Sequence, residues 1–485
     1  MPQRFTLYLF ITAITTAIAT PLTTSWFGLN MGARVGFSKT NVFHNKTFQA
    51  ALHTLHTSQL RFPGGTYAND FNWKEGCNGL SSSCTGGHST LEDLQTTLNA
   101  SSNNNIKIIL VLNMVTDTLA SQLQFVAHAI THLGLPVVGV ELGNELFNNL
   151  DRYIQRYPDG GAYGKVCVQW IAAIRDKFPR LRLAVVGTPT RNQSHVRDTT
   201  WNDMMFGQVQ SSLRPHVDGV VIHQYDTTGL ATKNSSGGSG GGKFLKSMVS
   251  KMLQKPFQVS QELNKKIATS VPTNVTVWIT EYNIDYSKDV EDVFVFGTFA
   301  HGLFLATESI LFLQEPQIAA GFVCRHCLLS DANNGALFVN DNAFNFDQSP
   351  NRSLATNTYG LSATGAILRM LGNMTQGMND VQTLNVAMHS TNTTSGVSSE
   401  VVVVGVVLSN SDSPMKKNGF VVNLSNETVA ISGKAMADFR YYQQMSVDDP
   451  TIGINHVEGQ VTWVNGYVQL DAVALAPYSV TSLVS

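Results

Sequence analysis

The sequence is poor in charge, in cysteine and in long apolar runs, and each shortage narrows what the chain can be. Charged residues are only 14% of 485 positions, split almost evenly into 32 basic and 34 acidic, for a formal net charge of −2. Such a balance offers no basic face to a nucleic acid or an anionic membrane, so neither is expected as a partner. Five cysteines are too few for a disulfide-built scaffold. Cys77 and Cys84 bracket a short Ser/Gly loop and are expected to bridge in an oxidising compartment. Cys324 and Cys327, in Cys324-Arg325-His326-Cys327, read as structural thiols or a local bridge, because no second pair lies nearby to complete a zinc site. Cys167 reads as a buried helix residue.

Other motifs are missing too. No His-X-His or His-Glu-X-X-His pattern occurs, so no metal is expected. No glycine-rich phosphate fingerprint follows the first predicted strand, and no cofactor is expected. Gly237-Gly238-Ser239-Gly240-Gly241 imitates a serine-hydrolase elbow, but that nucleophile needs a sharp strand-to-helix turn, and this match sits in a low-complexity loop.

Only two long apolar stretches occur. Val290 to Leu313 is interrupted by Asp292, His301 and Glu308, which predicts a buried amphipathic helix and no membrane span. Phe5 to Ala19 follows Arg4 and ends in the small residues Ala17-Ile18-Ala19, the pattern of an export leader over residues 1–19. The mature chain is therefore expected to be secreted and to carry no transmembrane segment. Asn-X-Ser/Thr sequons at Asn45, Asn99, Asn192, Asn234, Asn274, Asn351, Asn373, Asn392, Asn423 and Asn426 agree with export.

What the chain does have is core: 43% of its residues are hydrophobic. Strand-length apolar runs alternate with amphipathic stretches at Phe27–Val35, Gln59–Phe62, Ile106–Leu112, Val137–Leu142, Leu183–Val186, Val217–Ile222, Val275–Thr280 and Ile318–Val323. Strands that are apolar throughout are covered on both faces, which means a parallel sheet between helices. Eight such units fit a closed (β/α)8 TIM barrel over residues 22–372. An open doubly wound sheet is the alternative. Past Leu371 the helical period fades and short strands with turn signals follow, predicting a C-terminal all-β sandwich over 373–485.

Barrel enzymes carry their reacting groups at the C-terminal ends of the strands. Here the second strand ends in Arg61-Phe62-Pro63-Gly64-Gly65 and the third in Asn113. The fourth ends in Glu141-Leu142-Gly143-Asn144-Glu145, the sixth in His223-Gln224-Tyr225 and the seventh in Glu281-Tyr282-Asn283. Glu145 and Glu281 thus face each other across the mouth, and a pair of carboxylates is what hydrolysis of a glycosidic bond requires. Glu141 lies inside its strand and reads as a paired interior carboxylate. Arg61 serves either as its partner or as a substrate ligand. His223 and Tyr225 are placed to support the carboxylates, and Trp73 is either a packing aromatic or a platform for a sugar ring. Pro63-Gly64-Gly65 reads as a tight strand exit.

These motifs carry a resemblance. Leu60-Arg61-Phe62-Pro63-Gly64-Gly65-Thr66, with Asn72-Trp73-Lys74, resembles the second-strand segment of α-L-arabinofuranosidases and of heparanase-like enzymes. Glu141-Leu142-Gly143-Asn144-Glu145 resembles the acid/base motif of clan A glycoside hydrolases, especially the heparanase/β-glucuronidase group. Trp278-Ile279-Thr280-Glu281-Tyr282-Asn283 resembles the clan's nucleophile strand. The resemblance implies a retaining double displacement with Glu145 as general acid/base and Glu281 as nucleophile. It also implies an Asn144 bond to the sugar 2-hydroxyl, and a sandwich packed on the barrel. Three departures bear on the sugar. Leu146 stands where many relatives have Pro, Thr280-Glu281-Tyr282-Asn283 differs from the arabinofuranosidase form, and Arg325-His326 stand where a stacking Trp is frequent. The expected function is a glycosidase acting on a polysaccharide or oligosaccharide, with arabinofuranoside and glucuronide leading. A silent carbohydrate-binding protein and a transglycosylase on the same barrel are the rivals.

Overall fold

The computed structural model describes residues 9–15, 20–23, 26–32, 42–79, 89–100, 106–188, 196–210, 217–226, 228, 246–285, 295–325, 328, 337–340, 358–386, 403–432, 436–451, 461–469 and 472–485. Eight parallel strands close into a barrel in chain order: β1 (Phe27–Gly32), β2 (Gln59–Gly64), β3 (Lys107–Val111), β4 (Val137–Leu142), β5 (Arg182–Val186), β6 (Gly219–Asp226), β7 (Thr276–Ile284) and β8 (Val323–Arg325). β8 pairs with β1 in the register Val323↔Phe27 and completes the ring. The strands form here because their apolar residues have two faces to bury. In β2 every residue is buried, and in β7 all but the first. Ile109, Ala184, Val221, Trp278, Phe322 and Cys324 form a separate buried cluster with residues from five barrel strands, and Trp278 meets Phe322 edge-on at 4.7 Å.

The eighth strand lies later than the apolar run Ile318–Val323 predicts. Pro316–Ala319 is instead a helical turn, with Pro at its first position and the Glu315 side chain accepting from Gln317 N. An apolar run alone does not separate strand from buried helix, and the proline and the cap decide for helix. The consequence is that Arg325 ends β8 itself, wholly buried.

Behind the barrel the C-terminal strands build two antiparallel layers. One runs Thr462–Tyr467, Tyr441–Ser446, Ser479–Val484, Ser413–Asn423, Val403–Asn410, Asp380–Val386; the other contains Val429–Ser432 and Ala472–Leu475. Leu9–Thr15, inside the segment read as an export leader, joins them. It runs antiparallel to Asp380–Val386 and parallel to Val429–Ser432. Val407, Val421, Ile431, Phe439, Val473 and Leu483 belong to the cluster filling this sandwich. Gln469 and Ala472 form an isolated bridge beside the last strands.

Two helices lie between barrel and sandwich. Phe299–Gln314 is buried from Phe299 to Leu313, and Ala363–Thr375 packs beside it; both touch the larger layer. This placement explains the long apolar run around His301: the helix is covered on all sides by protein. Among the described residues no helix is long and apolar enough to cross a membrane.

Cys77 is disulfide-bonded, and Cys84, its expected partner, lies outside the described residues. Cys324 is a free buried thiol, so the local bridge considered for Cys324 and Cys327 is not formed. Cys167 is likewise free and buried, as expected. Asn423 is fully buried and its amide donates to Glu427 O and Ala476 O, which leaves that sequon no open amide nitrogen in the fold.

Candidate active site

The end of β2 puts a guanidinium on the barrel axis. Arg61 is 0% exposed, and its Nε and Nη2 donate to Glu141 on β4 at 2.7–3.0 Å. Nη2 also reaches Asn144 Oδ1 at 2.8 Å, and Nη1 reaches Glu281 Oε1 at 2.7 Å. Burial by itself lowers the guanidinium's pKa, but Glu141 and Glu281 outweigh it and raise the group above its usual range. Arg61 is therefore fixed in the charged form. It partners Glu141, as its place inside the strand predicts, and it anchors Glu281 as well.

Glu281 sits within β7, just past a register shift against β6 (Val221↔Trp278, then His223↔Glu281), with its side chain 5% exposed. Besides Arg61 it accepts the Tyr225 hydroxyl on Oε2 at 2.5 Å. Two donors, one of them cationic, favour the ionised carboxylate. Gly65 leaves bare backbone beside it: a Cβ there would lie 4.0 Å from Glu281 Oε1, and the residue's φ of 71° suits glycine. The tight exit expected of Pro63-Gly64-Gly65 thus also keeps side chains away from the carboxylate.

Glu145 is held differently. The chain leaves β4 through Gly143 at φ 96° and puts Glu145 itself at φ 46°, in the left-handed region. For a residue with a Cβ this costs roughly 1–3 kcal/mol. A side chain at Gly143 would strike Leu146 Cδ1 at 2.5 Å, so the turn needs glycine there. Glu145 Oε1 meets His223 Nδ1 at 2.9 Å, Oε2 accepts Asn148 Nδ2 at 3.1 Å, and the side chain is 22% exposed. His223 Nε2 faces Thr280 Oγ1 at 3.4 Å. His223 thus lies between Glu145 and Thr280.

One oxygen of Glu145, one oxygen of Glu281 and a ring nitrogen of His223 all lie within 4.8 Å of one another. The same three donors would suit a cation by distance alone. Arg61, 2.7 Å from Glu281, already supplies positive charge there, and that favours acid–base chemistry over metal binding. Asn144 completes the group. Its Oδ1 is taken by Arg61, while its Nδ2 is buried with no partner among the described residues, a donor left for a ligand.

Six of the eight predicted site residues, Glu145, Glu281, Asn144, Arg61, His223 and Tyr225, therefore converge. Two do not. Asn113 is spent on its own loop: Nδ2 donates to Phe71 O and Thr116 Oγ1, and Oδ1 accepts Val115 N and Thr116 N. Trp73 is a packing residue. Its Nε1 donates to Ser121 Oγ and its ring lies against Phe125 and His128 on the helical segment after β3. Arg325, which stands where a stacking Trp is frequent, points away from the axis. Its neighbour Cys324 is in the Trp278 cluster, and alternation along β8 turns Arg325 toward the helix Phe299–Gln314, where its charge reaches His301. His326 lies outside the described residues.

Sequence reasoning missed Asn69, Asn148 and Arg197. Asn69 accepts Asn144 N at 3.0 Å and donates to Asn144 O at 2.6 Å. Arg197 donates to the carbonyls of Leu146, Phe147, Asn148 and Tyr157. None terminates a strand, the signal on which the others were found.

No family model and no curated protein matches the chain by sequence. Solved structures match it over nearly its whole length. A GH51 arabinofuranosidase from Xanthomonas axonopodis pv. citri superposes with a TM-score of 0.68 at 13% identity, covering 98% of this chain and 100% of that one. AbfB, a family 51 α-L-arabinofuranosidase from Bifidobacterium longum, gives 0.71 at 12% identity, covering 99% of each. A 4-O-α-L-rhamnosyl-β-D-glucuronidase from Fusarium oxysporum gives 0.62 at 12% identity, covering 98% and 100%. The fold is that of clan A glycoside hydrolases: a TIM barrel with an antiparallel β domain.

Proposed function

We propose that the protein is a secreted retaining glycoside hydrolase in which Glu281 attacks the anomeric carbon and Glu145 protonates the leaving oxygen. The observation that carries this reading is the spacing of the two carboxylates, whose facing oxygens lie within 4.8 Å. Retaining enzymes hold the pair about 5–5.5 Å apart, whereas inverting enzymes leave roughly 6.5–9.5 Å for a water. The surroundings agree with the division of labour. Glu281 has Arg61 and Tyr225 to keep it ionised; Glu145 has solvent access and His223 for proton traffic. After attack, Glu145 has lost its proton to the leaving group and can deprotonate the water that frees the glycosyl-enzyme. The buried Asn144 Nδ2, without a partner among the described residues, supports this reading as the donor to the sugar 2-hydroxyl.

The sugar is best read as a neutral one, with α-L-arabinofuranoside first and glucuronide second. Arg61 already bonds Glu141, Glu281 and Asn144, and Arg325 faces the helix layer, so neither offers a fork to a uronic carboxylate. Structural neighbours of both kinds share the fold.

The test is a panel of nitrophenyl glycosides that includes α-L-arabinofuranoside and β-glucuronide, with the first-formed product followed by NMR. Hydrolysis with retained anomeric configuration is expected. An inverted first product would overturn the mechanism. Binding of polysaccharide with no bond cleaved would leave the carbohydrate-binding alternative. Transfer to an added sugar in preference to water would point to a transglycosylase on the same carboxylates.

A further inference from the structure

The left-handed turn that carries Glu145 is anchored peptide by peptide. Asn144 N–H donates to Asn69 Oδ1 at 3.0 Å, and Asn144 C=O accepts Asn69 Nδ2 at 2.6 Å. One side-chain amide thus spans the two peptide planes that flank Asn144. The donor and acceptor on the backbone also settle which end of the Asn69 amide is which. Its second N–H goes to the Tyr153 hydroxyl at 2.8 Å, which fixes the side chain in turn. The next carbonyl, that of Glu145, accepts Asn148 N at 3.0 Å. The three carbonyls after it, of Leu146, Phe147 and Asn148, all accept the guanidinium of Arg197. Every peptide plane from Gly143–Asn144 to Asn148–Asn149 is therefore held, and the strained φ of Glu145 lies between two clamps. Backbone strain persists where the surroundings over-determine it.

Neither clamp residue bonds either catalytic carboxylate in these contacts, and each comes from a different βα unit: Asn69 from the loop after β2, Arg197 from the helix Val196–Val209 after β5. Without them Glu145 can relax to an ordinary φ, and its carboxylate leaves the position opposite Glu281. We propose that Asn69 and Arg197 are positioning residues for the general acid, acting together to hold Glu145 in the left-handed conformation that aims it at the leaving oxygen. The inference rests on the assignment of Glu145 as acid. It adds that the aim is set by the two residues that clamp its backbone.

The test compares kcat/KM for aryl glycosides of one sugar whose leaving groups run from 2,4-dinitrophenol to phenol, in wild type, Asn69→Leu and Arg197→Lys. Leucine matches asparagine in size and removes both bonds to Asn144; lysine keeps the charge and loses the fork. A misaimed acid should cost about 10²-fold on the phenyl glycoside and little on the dinitrophenyl one, which needs no protonation. The steepened leaving-group dependence is the signature, and merely losing folded enzyme cannot produce it. Asn69→Asp keeps the oxygen that accepts Asn144 N, and it should recover part of the loss. Equal losses on all leaving groups, or no loss in either variant, would overturn the proposal. Should one variant fail to fold, the other and Tyr153→Phe, which removes only the hydroxyl that fixes Asn69, carry the same comparison. Failure of the underlying reading looks different: Glu145→Ala itself would then show no leaving-group dependence.

Discussion

Glu281 and Glu145 face the same few ångströms of space, yet the chain holds them by opposite means. Glu281 stands within a barrel strand, 5% exposed, with a buried guanidinium and a phenol donating to it. Glu145 stands on a strained turn, 22% exposed, with an imidazole and an amide against it and its backbone clamped on both sides. The first arrangement stabilises one protonation state and forbids movement. The second permits a change of protonation and places the restraint on the main chain. That difference is the structural content of the roles assigned to them: a nucleophile has to stay ionised, while an acid/base has to exchange a proton in each half-reaction.

Substitutions can break the contrast, beginning where the effect is largest. Glu281→Gln should keep an acceptor for Arg61 and lose about 10⁴–10⁶-fold in kcat, with thermal unfolding nearly unchanged; substantial residual turnover would remove the nucleophile from the account. Glu145→Ala should lose about 10²–10⁴-fold in kcat/KM on poor leaving groups and little on activated ones, the opposite of the uniform loss at Glu281. Arg61→Met leaves Glu141 and Glu281 buried without their cation. Denaturant unfolding should then show about 3–5 kcal/mol of lost stability, and an unfolding midpoint like that of wild type would mean the pair is solvated. Tyr225→Phe removes one hydrogen bond to a charged acceptor and should cost about 1.5–3 kcal/mol of transition-state or ground-state support, read as a shift of the acidic limb of the pH–rate profile.

The smallest effect concerns His301, behind β7. Its Nε2 donates to Asn283 Oδ1 at 2.9 Å, and burial, reinforced by Arg325, holds its pKa well below the usual 6.5. The folded state thus keeps it neutral while the unfolded chain takes up a proton as pH falls through 6.5. Stability should drop on acidification below that point and be unaffected by this group above it. His301→Gln, which retains a donor, should flatten the decline in melting temperature between pH 6.5 and 5. An unchanged slope would place the acid sensitivity elsewhere.

Much of this was legible in the sequence, for identifiable reasons. Barrel strands announce themselves because both faces are buried, so β3 and β4 appear as mostly apolar runs, interrupted only by Lys107 and Glu141, at nearly their true bounds. Strand-end polarity then located Arg61, Glu145, His223, Tyr225 and Glu281. The same rule misplaced Asn113, because a strand-end amide can equally well close its own loop, as the bonds to Val115 and Thr116 show. Residues whose work is done on another segment's backbone leave no trace in periodicity. Asn69 sits in an undistinguished Thr66-Tyr67-Ala68-Asn69-Asp70, and Arg197 on a helix of weak amphipathy. The strand Tyr441–Ser446 carries little sequence signal for a third reason: four of its six residues are Tyr or Gln, Tyr441 and Gln443 are exposed, and its partners lie at both ends of the chain's last segment.

The central claim is that Glu281 forms a covalent bond to the sugar while Glu145 does not. The direct test is to incubate the protein with cyclitol epoxides of arabinofuranose and glucuronic acid configuration, digest it and locate the added mass by tandem mass spectrometry. The account predicts one adduct per chain, on Glu281, absent in Glu281→Gln and still formed in Tyr225→Phe. An adduct on Glu145, or on a residue outside this cluster, would contradict it.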